Sequence, residues 1–342
     1  MNRRNFFKAF AVGVIACGVA PKSLVENKQE IVSAPSIVKS EKSAKTKTEP
    51  IVQPDLPDIA DEESIDLSEA EVEVSSKENK SPEPALSEDN KPAAGHTDDD
   101  LKDYLYKMHN YNSPHKDDIY IAPGKIPILN SSAKRLMRLQ KTVGHAYFHL
   151  ISLDEAFKVS RSYPDVGRFT KEETDFLEMI FYEDATKYGF FGEKPIKKLT
   201  ADIPEEKVVR VKSAGNYLYK GAPVEVYDKI KRILGDQAVL TSGVRSVMKQ
   251  FLLFLNKALL NQGDLSLASR SLAPPGYSFH GVGDFDIGQT GFGEKNFTES
   301  FVTTNVFKRL QDLGYITLRY AQNNMLGVRF EPWHIKVEHA RV

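Results

Sequence analysis

Apolar positions fall with two different periods along this chain, and over one long stretch they hardly recur at all. Helical spacing begins after about residue 100. Ser131 or Ser132 is placed to cap a helix through Lys141, with Leu136, Leu139 and nearby Met137 as its apolar stripe. Thr170 and Glu173 form a capping box, and Phe176, Leu177, Ile180, Phe181 and Ala185 follow at helical spacing up to a stop at Gly189. Pro223 starts a helix that closes at Gly235. Ala238-Val239-Leu240 reads as a strand, and Thr241 to Ser246 turns from it. Val247 to Leu260 is apolar around most of its surface and is predicted to be a buried helix. Asp284-Phe285-Asp286-Ile287 alternates as a half-buried strand does, which puts Asp284 and Asp286 on one face. A helix from about Thr303 to Leu313 ends at Gly314. Tyr315 to Tyr320, Gly327 to Glu331 and His334 to Val337 are predicted strands. The pattern is α+β: a small, mostly antiparallel sheet with flanking helices, preceded by a helical region and a linker.

With 342 residues the chain has two domains at most, and a net charge of −1 points to neither nucleic acid nor an acidic partner. Residues 1–25 read as a targeting segment. Asn2-Arg3-Arg4-Asn5-Phe6-Phe7-Lys8 has the form of a twin-arginine export motif, and the apolar run from Ala9 to Ala16 is too short to span a membrane. Val14-Ile15-Ala16-Cys17 resembles a lipobox, so Cys17, the single cysteine, is a candidate lipidation site and membrane anchor; simple cleavage near Ala20 is the alternative, with Pro21 unfavourable to it. Export places the protein in the periplasm or cell envelope. Residues 26–100 are rich in Glu, Asp, Lys, Ser and Pro, with no aromatic residue between Phe10 and Tyr104. Such a stretch buries too little apolar surface to offset its chain entropy, so it is expected to be disordered. A chain of this length spans on the order of 50 Å, more when charged, which suits a tether and equally an unselective spacer. Residues 101–220 are a helical accessory region, and residues 221–342 carry the chemistry.

That chemistry gathers in the stretch from Ser269 to Ile287. Pro274, Pro275 and Gly276 cannot continue a helix and deliver an ordered loop, with His280 at its end. A loop histidine leading into a strand carboxylate supplies two ligand types that zinc accepts. Glu331-Pro332-Trp333-His334 is held extended by its proline, and His334 is a candidate third ligand. Three protein ligands leave a fourth position open for water, as in catalytic zinc sites, and Glu331 is then placed to take a proton from it. Each of these residues alone is more often hydrogen-bonded structure than ligand; their combination alters that balance. His145 and His149 are spaced as helical zinc ligands are, but Ala146 stands where a zinc-protease helix carries its glutamate, so the pair reads as packing or surface.

Taken together, Ser242-Gly243-Val244-Arg245-Ser246, Gln250, the run Pro275-Gly276-Tyr277-Ser278-Phe279-His280-Gly281-Val282-Gly283, Asp286-Ile287, Leu318-Arg319-Tyr320 and Glu331-Pro332-Trp333-His334 resemble the VanY-type D-alanyl-D-alanine carboxypeptidases. These are zinc peptidases of the class that includes lysostaphin and the hedgehog signalling domain. The likeness covers roughly the last third of the chain. The family pattern has one more residue between its ligand His and Asp than this chain has between His280 and Asp286, so Asp284 remains the alternative ligand; Asp286 is preferred because it keeps the Asp-Ile pair and the strand start. The resemblance implies a zinc ion on His280, Asp286 and His334, Glu331 as general base, and Arg245 as the cation that polarises the scissile carbonyl. It places Gln250, Tyr277 and Ser278 among the substrate-binding residues. The implied substrate is the D-Ala-D-Ala end of a peptidoglycan stem peptide, cut by a monomer whose net basic folded part suits an anionic wall. Two other readings stay open: a DD-endopeptidase using the same chemistry, and a non-catalytic wall-binding module, against which Glu331 argues.

Overall fold

A computed structural model describes residues 98–314 and 316–338 of the chain. The expected export segment, Cys17 and nearly all of the expected acidic linker lie outside the described residues. Helix α1 (Asp98–His109) follows directly. Then come α2 (Ile126–Val143), the single turn α3 (His145–Phe148), α4 (Leu153–Ser162) and α5 (Lys171–Tyr182). Strands β1 (Val208–Val211) and β2 (Asn216–Tyr219) form an antiparallel hairpin. The remaining elements are α6 (Ala222–Leu234), β3 (Ala238–Ser242), α7 (Val247–Leu260), α8 (Leu265–Ser269), β4 (Phe285–Gln289), α9 (Asn305–Asp312) and β5 (His334–Ile335). Among the described residues no helix is long and apolar enough to cross a membrane.

Two large packed clusters, with a small third one around Leu150, Val208 and Val244, hold the described residues together. The larger one joins Leu129, Leu136 and Leu139 of α2 and Phe176, Leu177 and Ile180 of α5 to Phe251, Phe254 and Leu255 of α7. The smaller one lies under the three-stranded sheet and includes Tyr227, Ile230, Leu240, Phe285, Ile287, Phe307, Trp333 and Ile335. That sheet is antiparallel in the order β3-β4-β5. Its register sets Ser242 opposite Asp286, and Asp286 opposite His334, so the three side chains form one row across the sheet. An irregularity between Leu240 and Ser242 bends the end of β3 at that row, as a bulge does.

The capping box at Thr170 is formed from both sides: the Thr170 hydroxyl accepts from Glu173 N–H, and the Glu173 carboxylate accepts from Thr170 N–H. Pro223 sits in the first turn of α6, and α7 has the predicted bounds. Other expectations are corrected. The second helix starts at Ile126, well before Ser131, because Pro127 in the first turn needs no donor; Ser132 is buried mid-helix. The helix after Thr170 ends at Tyr182, and Ala185 belongs to a separate 3-10 turn that Gly189 closes with φ +86°. The predicted strand through Tyr320 is reduced to one bridge, Leu318 to Ile335, and no strand forms over Gly327 to Glu331. The final strand spans only His334–Ile335. Lys336 N–H donates to the Thr317 carbonyl beside the Leu318–Ile335 bridge, whereas Arg329 N–H is drawn off to the Arg270 carbonyl outside the sheet.

Candidate metal centre

The first wall of the site is the turn between β3 and α7. Ser246 caps α7 by accepting from Lys249 N–H. Gly243 is required by close approach, since a Cβ there would sit 2.0 Å from the Tyr217 carbonyl oxygen. That carbonyl accepts from Val244 N–H at 2.7 Å, while the Gly243 carbonyl faces His280 Nδ1 at 2.8 Å. A carbonyl only accepts, so Nδ1 carries the ring proton and Nε2 keeps its lone pair. His280 Nε2 points at Asp286 Oδ2, 3.3 Å away.

The second wall is the loop that delivers His280. Gly276 takes φ +90°, and a side chain there would strike Lys194 and Phe181. Tyr277 packs edge-on against Phe190 at 5.3 Å, with Lys194 Nζ 5.1 Å from its ring. Ser278 is buried just ahead of the short 3-10 turn that holds His280.

β4 and β5 bring the rest. His334 stands between two carboxylates: Nε2 lies 3.1 Å from Asp284 Oδ2, and Nδ1 lies 3.1 Å from Asp286 Oδ1. Asp284 is engaged on every side, by the Arg319 guanidinium, by Val337 N–H at 3.0 Å and by His334. Asp286 Oδ1, although buried and near His334, has no properly aligned hydrogen-bond donor. Glu331 Oε2 lies 3.8 Å from His334 Nδ1. Tyr320, whose ring is 5.1 Å from that of His334, supplies the carbonyl that accepts from Glu331 N–H.

Arg245 closes the site on the α7 side. Its Nη1 donates to Gln250 Oε1 at 3.1 Å and its Nη2 to Ser242 Oγ at 2.9 Å, with Asp286 Oδ2 3.8 Å away. The Gln250 amide is occupied at both ends, because its Nε2 donates to the Ala273 carbonyl. Gln250 therefore orients Arg245 in this structure, where the sequence suggested a hydrogen bond to substrate. His149 is not part of the His280–Asp286–His334 group; its Nδ1 meets the Val244 carbonyl at 2.9 Å.

Burial and charge tune these groups in opposite directions. Burial, then the neighbouring Arg245, holds His280 below its ordinary value and keeps it a neutral imidazole. Burial would raise Asp286, but His280 and His334 outweigh it and keep the carboxylate ionised. Burial would likewise lower His334, yet Asp284 and Asp286 overcome it and push the ring up to about 9. Burial pushes Glu331 up to about 7, within reach of proton exchange at neutral pH.

One nitrogen or oxygen from each of His280, Asp286 and His334 can be chosen so that all lie within 4.8 Å of one another. Two imidazoles, one carboxylate and an orphaned buried oxygen fit a zinc ion. The Gly243 carbonyl behind His280 and the Asp284 carboxylate behind His334 are outer partners of the kind that orient ligand rings. Sequence reading did not find the roles of Gly243, Ser242 and Arg319. A tight glycine between a strand and a capping serine was the available signal for the first.

A buried group of two histidines and an aspartate, with the Glu331 carboxylate beside it, has the make-up of a metallopeptidase-type centre. Residues 230–338 match the family model described as VanY: D-alanyl-D-alanine carboxypeptidase. Among solved structures, the LdcB LD-carboxypeptidase is 27% identical, with a TM-score of 0.31 over 35% of this chain and 59% of its own. The chain thus spans a little over half of that protein's length. A mutant of the vancomycin-resistance D,D-pentapeptidase VanY from the VanB-type cassette, in complex with Zn(II), is 19% identical, with a TM-score of 0.33 over 44% of this chain and 88% of its own. VanYB in complex with D-alanine-D-alanine is 20% identical, with a TM-score of 0.34 over 44% of this chain and 85% of its own. No curated protein matches the chain.

Proposed function

We propose that this protein is a zinc-dependent D-alanyl-D-alanine carboxypeptidase that trims the terminal D-Ala of peptidoglycan stem peptides. The observation that carries the reading is the joint placement of His280, Asp286, His334, Glu331 and Arg245 inside the family-matched segment. His280 offers Nε2, His334 offers Nδ1, and Asp286 offers its carboxylate. Bound there, zinc supplies Lewis-acid polarisation and an acidified water with a pKa of about 7. Glu331 takes the proton from the attacking water, whose oxygen joins the carbonyl carbon. The peptide C–N bond then breaks, and the proton passes from Glu331 to the departing amine of D-Ala. Arg245, locked by Gln250 and Ser242, presents a fixed cation where negative charge develops on the carbonyl oxygen.

Export through the segment at residues 1–25, with anchoring at Cys17 or cleavage near Ala20, would bring the enzyme to the cell envelope, and residues 26–100 would set its reach. Metal content and D-Ala release on the purified protein test the assignment. One zinc per chain, with chelator-sensitive release of D-Ala from a stem pentapeptide, is the expected result. Cleavage confined to crosslinked dimers would make it an endopeptidase, and a chain that takes up no zinc would overturn the peptidase reading.

A further inference from the structure

The catalytic loop is gripped by a part of the chain outside the family-matched segment. Tyr104 on α1 reaches the loop that precedes Glu331. Its hydroxyl donates to the Asn324 carbonyl at 2.9 Å and accepts from Gly327 N–H at 2.8 Å. Burial pushes this phenol up to about 12, so it stays a donor. Tyr111, just after α1, accepts from Arg329 Nη1 at 2.7 Å. The Arg329 guanidinium carbon lies 4.3 Å from the Tyr111 ring and 4.8 Å from the Trp333 ring, and Nη2 donates to the Phe297 carbonyl at 3.0 Å. Arg329 precedes Glu331 by one residue of spacing, and Trp333 is bonded directly to His334.

A second arginine ties the two sides together. The Arg270 guanidinium donates to the carbonyls of Tyr111 and Ser113 at 3.2 and 2.9 Å, and to both oxygens of Asp118 at 2.6 and 2.9 Å. The carbonyl of the same residue accepts from Arg329 N–H at 2.9 Å. Planar guanidinium groups suit this task, since each fixes several acceptors and an aromatic face at once.

We infer that residues 98–120 form a clasp that sets the position of the Glu331–His334 loop, with Tyr104, Tyr111 and Arg329 as positioning residues. The kinetic consequence rests on the peptidase reading above; the structural consequence does not. The clasp begins where the described residues begin, next to the stretch read from sequence as a linker, and it reaches the loop that carries Glu331.

Trp333 is the single tryptophan of the chain and is buried, so its fluorescence reports on this loop without any metal. The experiment uses the full chain with Tyr111→Phe, Tyr104→Phe and Arg329→Lys, each of which preserves the bulk or the charge. In the metal-free protein, acrylamide quenching of Trp333 is expected to rise about twofold in the Tyr111 and Arg329 variants, as contacts that shield the ring loosen. In the zinc-loaded protein, kcat for D-Ala release is expected to fall roughly tenfold with KM little changed, well inside the hundredfold that a 1 Å misplacement costs. The melting temperature should move by no more than about 4 °C, so that global unfolding does not account for the loss. Wild-type quenching together with wild-type kcat in all three variants would overturn the clasp. A lowered melting temperature with Trp333 still shielded and kcat intact would also overturn it, by reducing these contacts to scaffolding. Should the unaltered protein release no D-Ala, the peptidase reading falls, and quenching alone decides the clasp.

Discussion

Asp284 holds the Nε2 edge of His334 at 3.1 Å, and so turns the other ring nitrogen, Nδ1, toward His280 and Asp286. In the proposed zinc site, one carboxylate of the Asp284/Asp286 pair orients a ligand ring while the other serves as a ligand. Asp284 receives Arg319, Val337 N–H and His334 together, which leaves it little to offer a cation.

The first prediction follows from that division of labour. Asp284→Asn should keep the three ligands but loosen the His334 ring, lowering zinc affinity about ten- to a hundredfold. Competition against a chromophoric chelator measures it. Unchanged affinity would mean that Asp284 does not orient the ring.

Zinc uptake should release protons. His334 is pushed up to about 9 in the metal-free protein, so near pH 7.5 it is an imidazolium. Its Nδ1 lone pair becomes available to a metal only when that proton leaves. Calorimetric titrations in two buffers of different ionisation enthalpy should therefore show about one proton released per zinc bound. Release that vanishes at neutral pH would count against Nδ1 of His334 as a donor.

With Glu331 as the proposed base, its titration is expected to set the acid limb of the rate. Its carboxyl is raised to about 7, chiefly by burial, and only the ionised form can accept a proton from water. The rate should fall as pH drops through that value. Glu331→Gln should lose about 10³-fold in kcat while retaining zinc. A variant that turns over normally would remove Glu331 from the base role.

Away from the site, the buried pair Arg135–Glu173 is a stability test. Arg135 Nε lies 2.6 Å from Glu173 Oε2, and the same carboxylate closes the cap of α5. Burial would raise the Glu173 carboxyl, but the Arg135 bonds outweigh it and hold the carboxyl below 4.5. The unfolded chain then binds the proton more readily than the folded one. The contribution is therefore present above pH 4.5 and lost as pH falls through the depressed folded value. Glu173→Gln should cost about 3 kcal/mol at neutral pH, read from denaturant unfolding, and should flatten the acid side of the stability profile. A variant as stable as the parent would show the pair to be energetically idle.

Much of this was readable before the structure, where local chemistry decides the outcome. The Thr170–Glu173 capping box and the bounds of α7 depend on residues a few positions apart, so the sequence displays them directly. The start of α2 was misjudged because Ile126 begins the helix with no side-chain cap, relying on the adjacent proline. The expected strands around Tyr320 and Arg329 alternate correctly in sequence, but their backbone groups are claimed by residues far away, such as Arg270. Gln250 is expected from the sequence to meet substrate; its bonds to Arg245 and the Ala273 carbonyl depend on the loop path and are not legible in the helix itself. Asp284 and Asp286 share a strand face, so alternation alone gave no way to choose between them. The choice is made by Arg319, which arrives from another loop.

Helix α7 carries a consequence for how such a protein can change. Met248, Phe251, Phe254, Leu255 and Ala258 have no exposed surface, and the elements packed most closely on α7 are α2, α8 and α4. The stretch that a family comparison recognises is therefore shorter than the stretch able to stand as a body of its own. Recombination or grafting that carried only the matched residues would deliver the ligands and the base on a helix stripped of its lining. Successful transplants should bring α2 and α4 along with the chemistry.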